Sequence, residues 1–450
     1  MVIRNPQMVM RMKLLRIKDN SRQKKDAFYR VARLTDKIAD KTLEQLEREG
    51  VFVFPEAVKD AEDISQDQMI LRSINGSYCS GNIMGFIGCG DERLIIESRF
   101  CGKEKDYFSL YLLKKVLNLP NNVNLVSDAD FNDRPLDFLL FLFPYCLRKA
   151  MRKGLYKEYI RHRYNDGNVK GNVDIARHIK ANTPFLGNIA YNQREFSYDN
   201  GLTELIRHTI EFIKTKRYGN QLLARAKDEV KLVTDATLRY SLCDRQKIIE
   251  LNKKNTVRHA YFREYLALQK LCLLILRHQK HQIGLGARPI YGILFDGAWL
   301  WEEYINLLIK DIFYHPMNKS YTGAQWLFDR NVGRIYPDFI GRNGAKRIIA
   351  DAKYKPIDNI GNQDYLQLLT YMFRFDAKDG YYIYPDAAGS GDMILWMNRG
   401  STYENNVEKR EDIHITKLGL KIPAGAQSYE GFCEEMQKQE EKLIKAFSQE

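Results

Sequence analysis

Two short apolar runs that end in charged side chains constrain this chain more than any other feature. The first reads Arg334-Ile335-Tyr336-Pro337-Asp338-Phe339-Ile340, the second Arg347-Ile348-Ile349-Ala350-Asp351-Ala352-Lys353-Tyr354-Lys355. Ile348, Ile349 and Ala350 suit a buried strand. Alternation along that strand puts Asp351 and Lys353 on one face and Ala352 on the other. Asn343-Gly344 between the runs is a hairpin signal, and antiparallel pairing about it predicts Asp338 close to Asp351. Phosphodiester hydrolysis wants these residue types together. Two carboxylates hold a hard divalent cation that keeps several waters and touches phosphate oxygen. A neighbouring lysine orients or deprotonates the attacking water and offsets charge on the phosphate. Each short string also arises by chance. Placement at the end of a buried strand is what singles out Asp338, Asp351 and Lys353 as a candidate Mg2+ site, with Mn2+ as a substitute.

Flanking segments add candidates. Leu300-Trp301-Glu302-Glu303-Tyr304 sets adjacent carboxylates in an apolar stripe. Glu302 is assigned to the core side; the alternative is that both are surface glutamates. Gln367 and Tyr371 stand one turn apart on the following helix. A core-facing glutamine is costly without partners, so a place beside the metal site accounts for Gln367.

The whole chain reads as α/β, or α+β overall, in four parts. Residues 1–130 form a helical and β-rich domain. Within it 7–50 is mainly helical, with a helix over 36–49 stopped by Gly50, and 51–110 is a small unit of hairpins. Residues 131–285 are mainly helical, with helices at 134–153, 201–216, 221–240 and 259–281 and an extended or hairpin stretch over 164–198. Residues 286–425 alternate between helix and strand around a mixed sheet. Residues 426–450 carry a terminal helix. The longest apolar run, Phe138 to Phe143, is too short to span a bilayer, so no membrane partner is expected.

The net charge of +13 favours a polyanion partner, since Lys and Arg displace counterions from phosphate. The surplus gathers in Arg11, Lys13, Arg16, Lys18, Arg22, Lys24 and Lys25, and again from Arg148 through Arg161 and Arg163. Either cluster also fits a solvated surface. Seven cysteines without a C-x-x-C pair point to reduced thiols in a cytoplasmic protein. No Gly-rich stretch has the setting of a phosphate loop, so nucleotide hydrolysis by this chain is not expected.

A Glu-bearing helix, a Pro-Asp strand, an Asp-x-Lys strand and a Gln-x-x-x-Tyr helix follow in that order. The arrangement resembles the PD-(D/E)xK nuclease superfamily in its RecB-like branch. It is similar in particular to the McrC-like nuclease subunits of McrBC modification-dependent restriction systems. Phe295-Asp296, Leu300-Trp301-Glu302, Pro337-Asp338, Asp351 to Lys355, Asp364, Gln367 and Tyr371 carry the likeness. So do Gly154-Leu155, Tyr159, Lys170 to Asp174, Tyr198-Asp199-Asn200 and the β-rich segment from Ile83 to Phe100. Gly297-Ala298 and Lys170 depart from the family's usual residues, and the first 60 residues have no counterpart. These departures bear on subfamily, a LlaJI-like variant being one option.

The resemblance implies a small β-rich N-terminal unit, a helical middle and a C-terminal PD-(D/E)xK mixed-sheet core. It implies metal ligation by Asp338, Asp351, the Ala352 backbone carbonyl and Glu302, with Lys353 and Gln367 in catalysis. Lys355, Tyr371, Lys170, Arg161 and Arg163 are the candidate DNA contacts. The implied partners are double-stranded DNA and an McrB-like AAA+ GTPase hexamer that the N-terminal part touches and stimulates. Two complexes would meet to cut both strands. Two other readings stand beside this one: a RecB-like repair nuclease acting with a helicase, and a catalytically inactive DNA-binding assembly subunit.

Overall fold

The computed structural model describes residues 13–49, 51–54, 69–102, 106–117, 134–216, 218–278, 290–316, 323–344, 347–400 and 407–447. The chain divides into two compact units, one of residues 130–286 and one of residues 1–129 with 287–450.

The larger unit holds two main sheets. The first runs in the order Lys13–Lys18, Glu92–Glu97, Ile83–Cys89, Ile290–Asp296, Val51–Phe54. Glu92–Glu97 buries every second residue, including Leu94 and Ile96, as a sheet with one covered face requires. The cover comes from Val31, Leu34, Ile38 and Leu46, packed on Ile87, Leu94 and Leu294. Gly85 has φ +135°, and a Cβ there would stand 2.1 Å from the Ile293 carbonyl oxygen. Only glycine lets those two strands approach so closely.

Two sequence expectations change here. The stretch 7–50, expected to be mainly helical, opens with strands Lys13–Lys18 and Arg22–Lys24, and its α-helices are limited to Ala32–Ile38 and Leu43–Glu49. Residues 7–12, with Arg11 of the basic cluster, lie outside the described residues. Lys13–Lys18 pairs in parallel with Glu92–Glu97, a long-range pairing that overrides local propensity. It also occupies part of the basic cluster: Arg16 ion-pairs with Glu97, and Lys18 Nζ donates to the Cys101 carbonyl at 3.0 Å. Second, the sequence groups the chain from 286 onward with the sheet of Asp338 and Asp351. Ile290–Asp296 instead lies inside the N-terminal sheet, antiparallel to Ile83–Cys89 and parallel to Val51–Phe54.

The second sheet runs Phe313–Tyr314, Phe339–Gly341, Ile348–Ala352, Asp379–Asp386, Glu408–Lys421, Met393–Arg399. Its three central strands are parallel and its flanking pairs antiparallel, the mixed α/β sheet that the sequence predicts. Helix Gly297–Ile309 starts where Asp296 accepts the Ala298 and Trp299 amides at 2.8 and 3.2 Å, satisfying first-turn donors. Its Leu300, Trp301, Tyr304, Ile305 and Ile309 are buried, each stabilising by roughly 1.5–3 kcal/mol. Helix Asn362–Phe375 follows Gly361, whose amide donates to Asp364 at 3.0 Å, and stops at Asp376 in a left-handed conformation.

The last helix, Tyr429–Ala446, buries Glu440. Tyr111 and Tyr304 donate to its Oε1 at 2.6 and 2.7 Å, and Lys115 Nζ lies 3.4 Å from its Oε2.

The smaller unit packs helices Arg134–Met151, Gly201–Lys214 and Arg263–His278 beside a sheet ordered Glu158–Asp166, Ile189–Ser197, Asn172–Val173. The expected extended stretch over 164–198 overlaps the end of Glu158–Asp166 and contains the other two strands and helix Ile175–Ala181. The helix expected over 221–240 is broken into Gly219–Leu223 and Lys227–Ala236 by a tight turn at Ala224–Ala226. Among the described residues no helix is long and apolar enough to cross a membrane.

His208 in this unit is buried against Tyr240, and its Nδ1 has no hydrogen-bond partner. Burial, then the Arg245 charge, pushes its pKa down to about 4 from 6.5. The folded unit therefore holds His208 neutral, while the unfolded chain takes up a proton below about pH 6.5. Stability should fall as pH drops from about 6.5 to about 4, by up to about 3 kcal/mol, and change no further through this group below that. Urea unfolding of wild type and His208→Gln across this range checks it. An equal slope in both would remove His208 as the cause.

Candidate active site

Asp351 ends the buried run of Ile348–Ala352 and is 3% exposed. Phe339 pairs with Ala350, so Asp338 and Asp351 come next in register across the two strands. Asp338 Oδ2 accepts the Ala352 amide at 3.0 Å. Lys353 Nζ stands 2.7 Å from Asp351 Oδ2, but its approach is poorly directed for a hydrogen bond. That buried carboxylate oxygen therefore has an ion-pair partner and no aligned donor.

Lys353 is held from the other side by helix Asn362–Phe375. Its Nζ donates to Gln367 Oε1 at 3.1 Å and lies 3.6 Å from Asp364 Oδ1. Gln367 Nε2 in turn donates to the Tyr371 hydroxyl at 2.8 Å. Tyr371, a candidate DNA contact by sequence, is buried, so its side chain props Gln367. Burial pushes the Tyr371 hydroxyl up to about 12, with the Asp351 and Asp338 carboxylates adding to the rise. Lys355, the other nearby candidate, ion-pairs with Asp364 at 2.7 Å. Asp364 thus takes two lysines. Burial opposes its charge, yet the Lys355 hydrogen bond, the Gly361 amide and the Lys353 charge hold its carboxyl below the usual range.

Glu302 faces this group from helix Gly297–Ile309, with its side chain 15% exposed. His315, which the sequence reasoning missed, sits beside it. His315 Nε2 is 3.7 Å from Glu302 Oε1, and its Nδ1 is 2.9 Å from the Asp338 carbonyl oxygen. A carbonyl only accepts, so Nδ1 carries the proton. Nothing in the string around His315 signals this place. The pairing of Tyr314 with Ile340 is what brings it alongside Asp338. The Ile383 carbonyl accepts both the Lys353 amide and the Trp301 indole N–H, each at 3.0 Å. One backbone oxygen therefore ties the residue before Glu302 to Lys353.

The remaining candidates belong to the smaller unit. Arg161 and Arg163 are exposed on strand Glu158–Asp166, where Arg161 stands opposite Arg194, and Lys170 is exposed in the loop that follows.

The buried carboxylates shift one another's charge. Burial, then the Asp351 and Glu302 carboxylates, holds the Asp338 carboxyl well above the ordinary range. For Lys353, burial opposes the charge, but Asp351 and Asp338 outweigh it and raise the pKa. Lys353 is shared among Asp338, Asp351 and Asp364, and one Asp351 oxygen lacks a directed donor. Among the described residues no three His, Cys, Asp or Glu side chains are drawn together as a ready cage. Such a donor set fits a hard ion that takes a few carboxylate and carbonyl oxygens and keeps its own water.

A family model described as "McrBC 5-methylcytosine restriction system component" matches residues 80–385, more than two thirds of the chain. The chain belongs to this McrBC family. The matched span holds the Pro337-Asp338 strand, the Asp351-Ala352-Lys353 strand and the Gln367 helix, so the McrC-like motifs fall within McrBC territory. No curated protein matches the chain. Two solved structures from Thermococcus gammatolerans are similar to it. One is a refined half-complex from a tetradecameric assembly of McrB AAA+ hexamers with bound McrC. It is 14% identical, with 94% of this chain and 99% of that chain covered, at a TM-score of 0.46. The other is a cryo-EM structure of the McrBC complex, 13% identical, covering 68% and 90%, at a TM-score of 0.30. Both scores are low, and the fold rests on this chain's own strands and helices.

Proposed function

We propose that this chain is the Mg2+-dependent endonuclease subunit of its McrBC-type restriction system. The observation that carries the reading is the pair of buried carboxylates at adjoining strand ends, with Lys353 Nζ 2.7 Å from Asp351. Asp338, Asp351, the Ala352 carbonyl and Glu302 would hold Mg2+, or Mn2+ in its place. The bound ion would supply Lewis acidity toward a phosphate oxygen and the attacking water. Lys353 keeps its proton among the surrounding carboxylates, so it serves to orient water and offset phosphate charge. Gln367, fixed by Tyr371, and Asp364 set where that charge sits.

McrC in the similar assembly is bound to McrB AAA+ hexamers. We extend that arrangement to this chain. An McrB-like AAA+ GTPase hexamer would deliver double-stranded DNA, the N-terminal part would contact the ring, and two complexes would meet to cut both strands. Arg161, Arg163 and Lys170 would face the partner or the DNA. Family membership favours this reading over a repair nuclease working with a helicase.

Assembled with its ring partner, the chain should linearise plasmid DNA in Mg2+ or Mn2+ and stop when a chelator is added. An assembled complex that hydrolyses nucleotide yet never cuts DNA with either metal would overturn the proposal in favour of an inactive assembly subunit.

A further inference from the structure

Tyr354 follows Lys353 directly, and its side chain leaves the cleavage sheet. The strand ends at Ala352, and the Lys353 amide makes the last ladder bond, to Ile383. Beyond that point Tyr354 runs into the N-terminal sheet and is 6% exposed. Its hydroxyl is 2.6 Å from Ser98 Oγ and 3.3 Å from Met84 Sδ. Its ring meets Phe100 edge-on at 5.0 Å between centroids and lies under the Arg99 guanidinium at 5.1 Å.

The anchor is itself fixed. Ser98 is fully buried, and its amide donates to Asp106 at 2.8 Å. Arg99 is held by the buried Asp19 at 2.6 Å. The other side of the ring bears on helix Gly297–Ile309. A Cβ at Gly297 would come within 2.7 Å of Tyr354 Cε1, so the start of the Glu302 helix rests on the tyrosine. One side chain thus touches the N-terminal sheet and the Glu302 helix, and it is bonded to the residue carrying the catalytic ammonium.

We propose that Tyr354 is a positioning residue for cleavage, fixing the Lys353 backbone and the start of the Glu302 helix through its hydroxyl latch to Ser98. This rests on the nuclease reading above. A lysine side chain has four rotatable bonds, so the place of its Nζ depends on a backbone held from both sides. Ile383 holds it before, and Tyr354 holds it after. Ångström-scale misplacement of such a group costs rate rather than binding. The N-terminal sheet is then a working part of the cleavage site.

The test uses the full chain with its ring partner in Mg2+. Tyr354→Phe removes the hydroxyl and keeps the ring. Assayed well below its Tm, it should cut about tenfold more slowly at saturating DNA, with KM unchanged. Ser98→Ala should be at least as slow, since Ser98 Oγ also accepts the Phe100 amide at 3.1 Å, the double variant should be no slower than Ser98→Ala, and Ser98→Thr should restore the rate. Asp351→Ala is the reference for a dead site. If Tyr354→Phe cuts at the wild-type rate while Asp351→Ala is dead, the latch is overturned. A Tyr354→Phe that regains the wild-type rate once assayed well below its Tm shows only a stability effect and also overturns it. If Asp351→Ala still cuts, the nuclease reading itself fails, and the latch falls with it.

Discussion

Replacing Asp351 with alanine should abolish DNA cleavage, by at least about 10³-fold, while leaving the larger unit as stable as before or slightly more stable. Asp351 is buried and has no aligned donor on one oxygen. In the metal-free protein its charge raises the pKa of Asp338. Removing it relieves that repulsion, and Lys353 keeps Asp338, Asp364 and Gln367 as partners, so Tm without metal should hold or rise while activity vanishes. Asp338→Ala should behave in the same way. Lys353→Ala should lose activity too, but it strips the buried carboxylates of their cation and should lower the metal-free Tm. Plasmid cleavage and thermal melts of the three variants, with partner assembly checked by size, distinguish these outcomes. Cleavage surviving in all three would remove the site from the chemistry. An equal fall in Tm for the aspartate variants would mean that their carboxylates stabilise the fold.

The second large effect is expected far along the chain. Glu440→Ala should destabilise the larger unit by about 2–4 kcal/mol, because it leaves the buried hydroxyls of Tyr111 and Tyr304 without their acceptor. Glu440→Gln keeps an acceptor oxygen and should cost less. Tyr304 lies two residues beyond Glu302 on the same helix, so cleavage should weaken along with stability. Chemical denaturation measures the difference. Equal midpoints for the alanine variant and wild type would show that the clasp contributes nothing.

The candidate site is the most legible part of this sequence. A β-branched run ending in Asp-x-Lys, a hairpin signal before it, and Gln367 and Tyr371 at helical spacing are all local patterns. Local patterns survive in a string of letters, and the structure brings these residues together. His315 and the Tyr354–Ser98 contact have no such local mark. The tyrosine and serine are 256 residues apart in sequence, and only the folded sheets make them neighbours. The same limit explains Ile290–Asp296. Its apolar run suits a buried strand in either sheet, and nothing in its composition says which. Lys13–Lys18 reads as helical because its strand partner is also distant in sequence.

The position of Ile290–Asp296 has a consequence for how the molecule is made. Among the described residues Val51–Phe54 joins its sheet only through this strand, and the whole of residues 130–286 is synthesised between them. On the ribosome, Val51–Phe54 must wait as an unpaired edge until a strand more than two hundred residues later emerges. Pairings of such long separation form slowly, and waiting edges invite association with other chains. The smaller unit, contiguous in sequence, has no such delay and can complete its core first. Expression conditions that slow elongation or supply chaperones should therefore help the larger unit most.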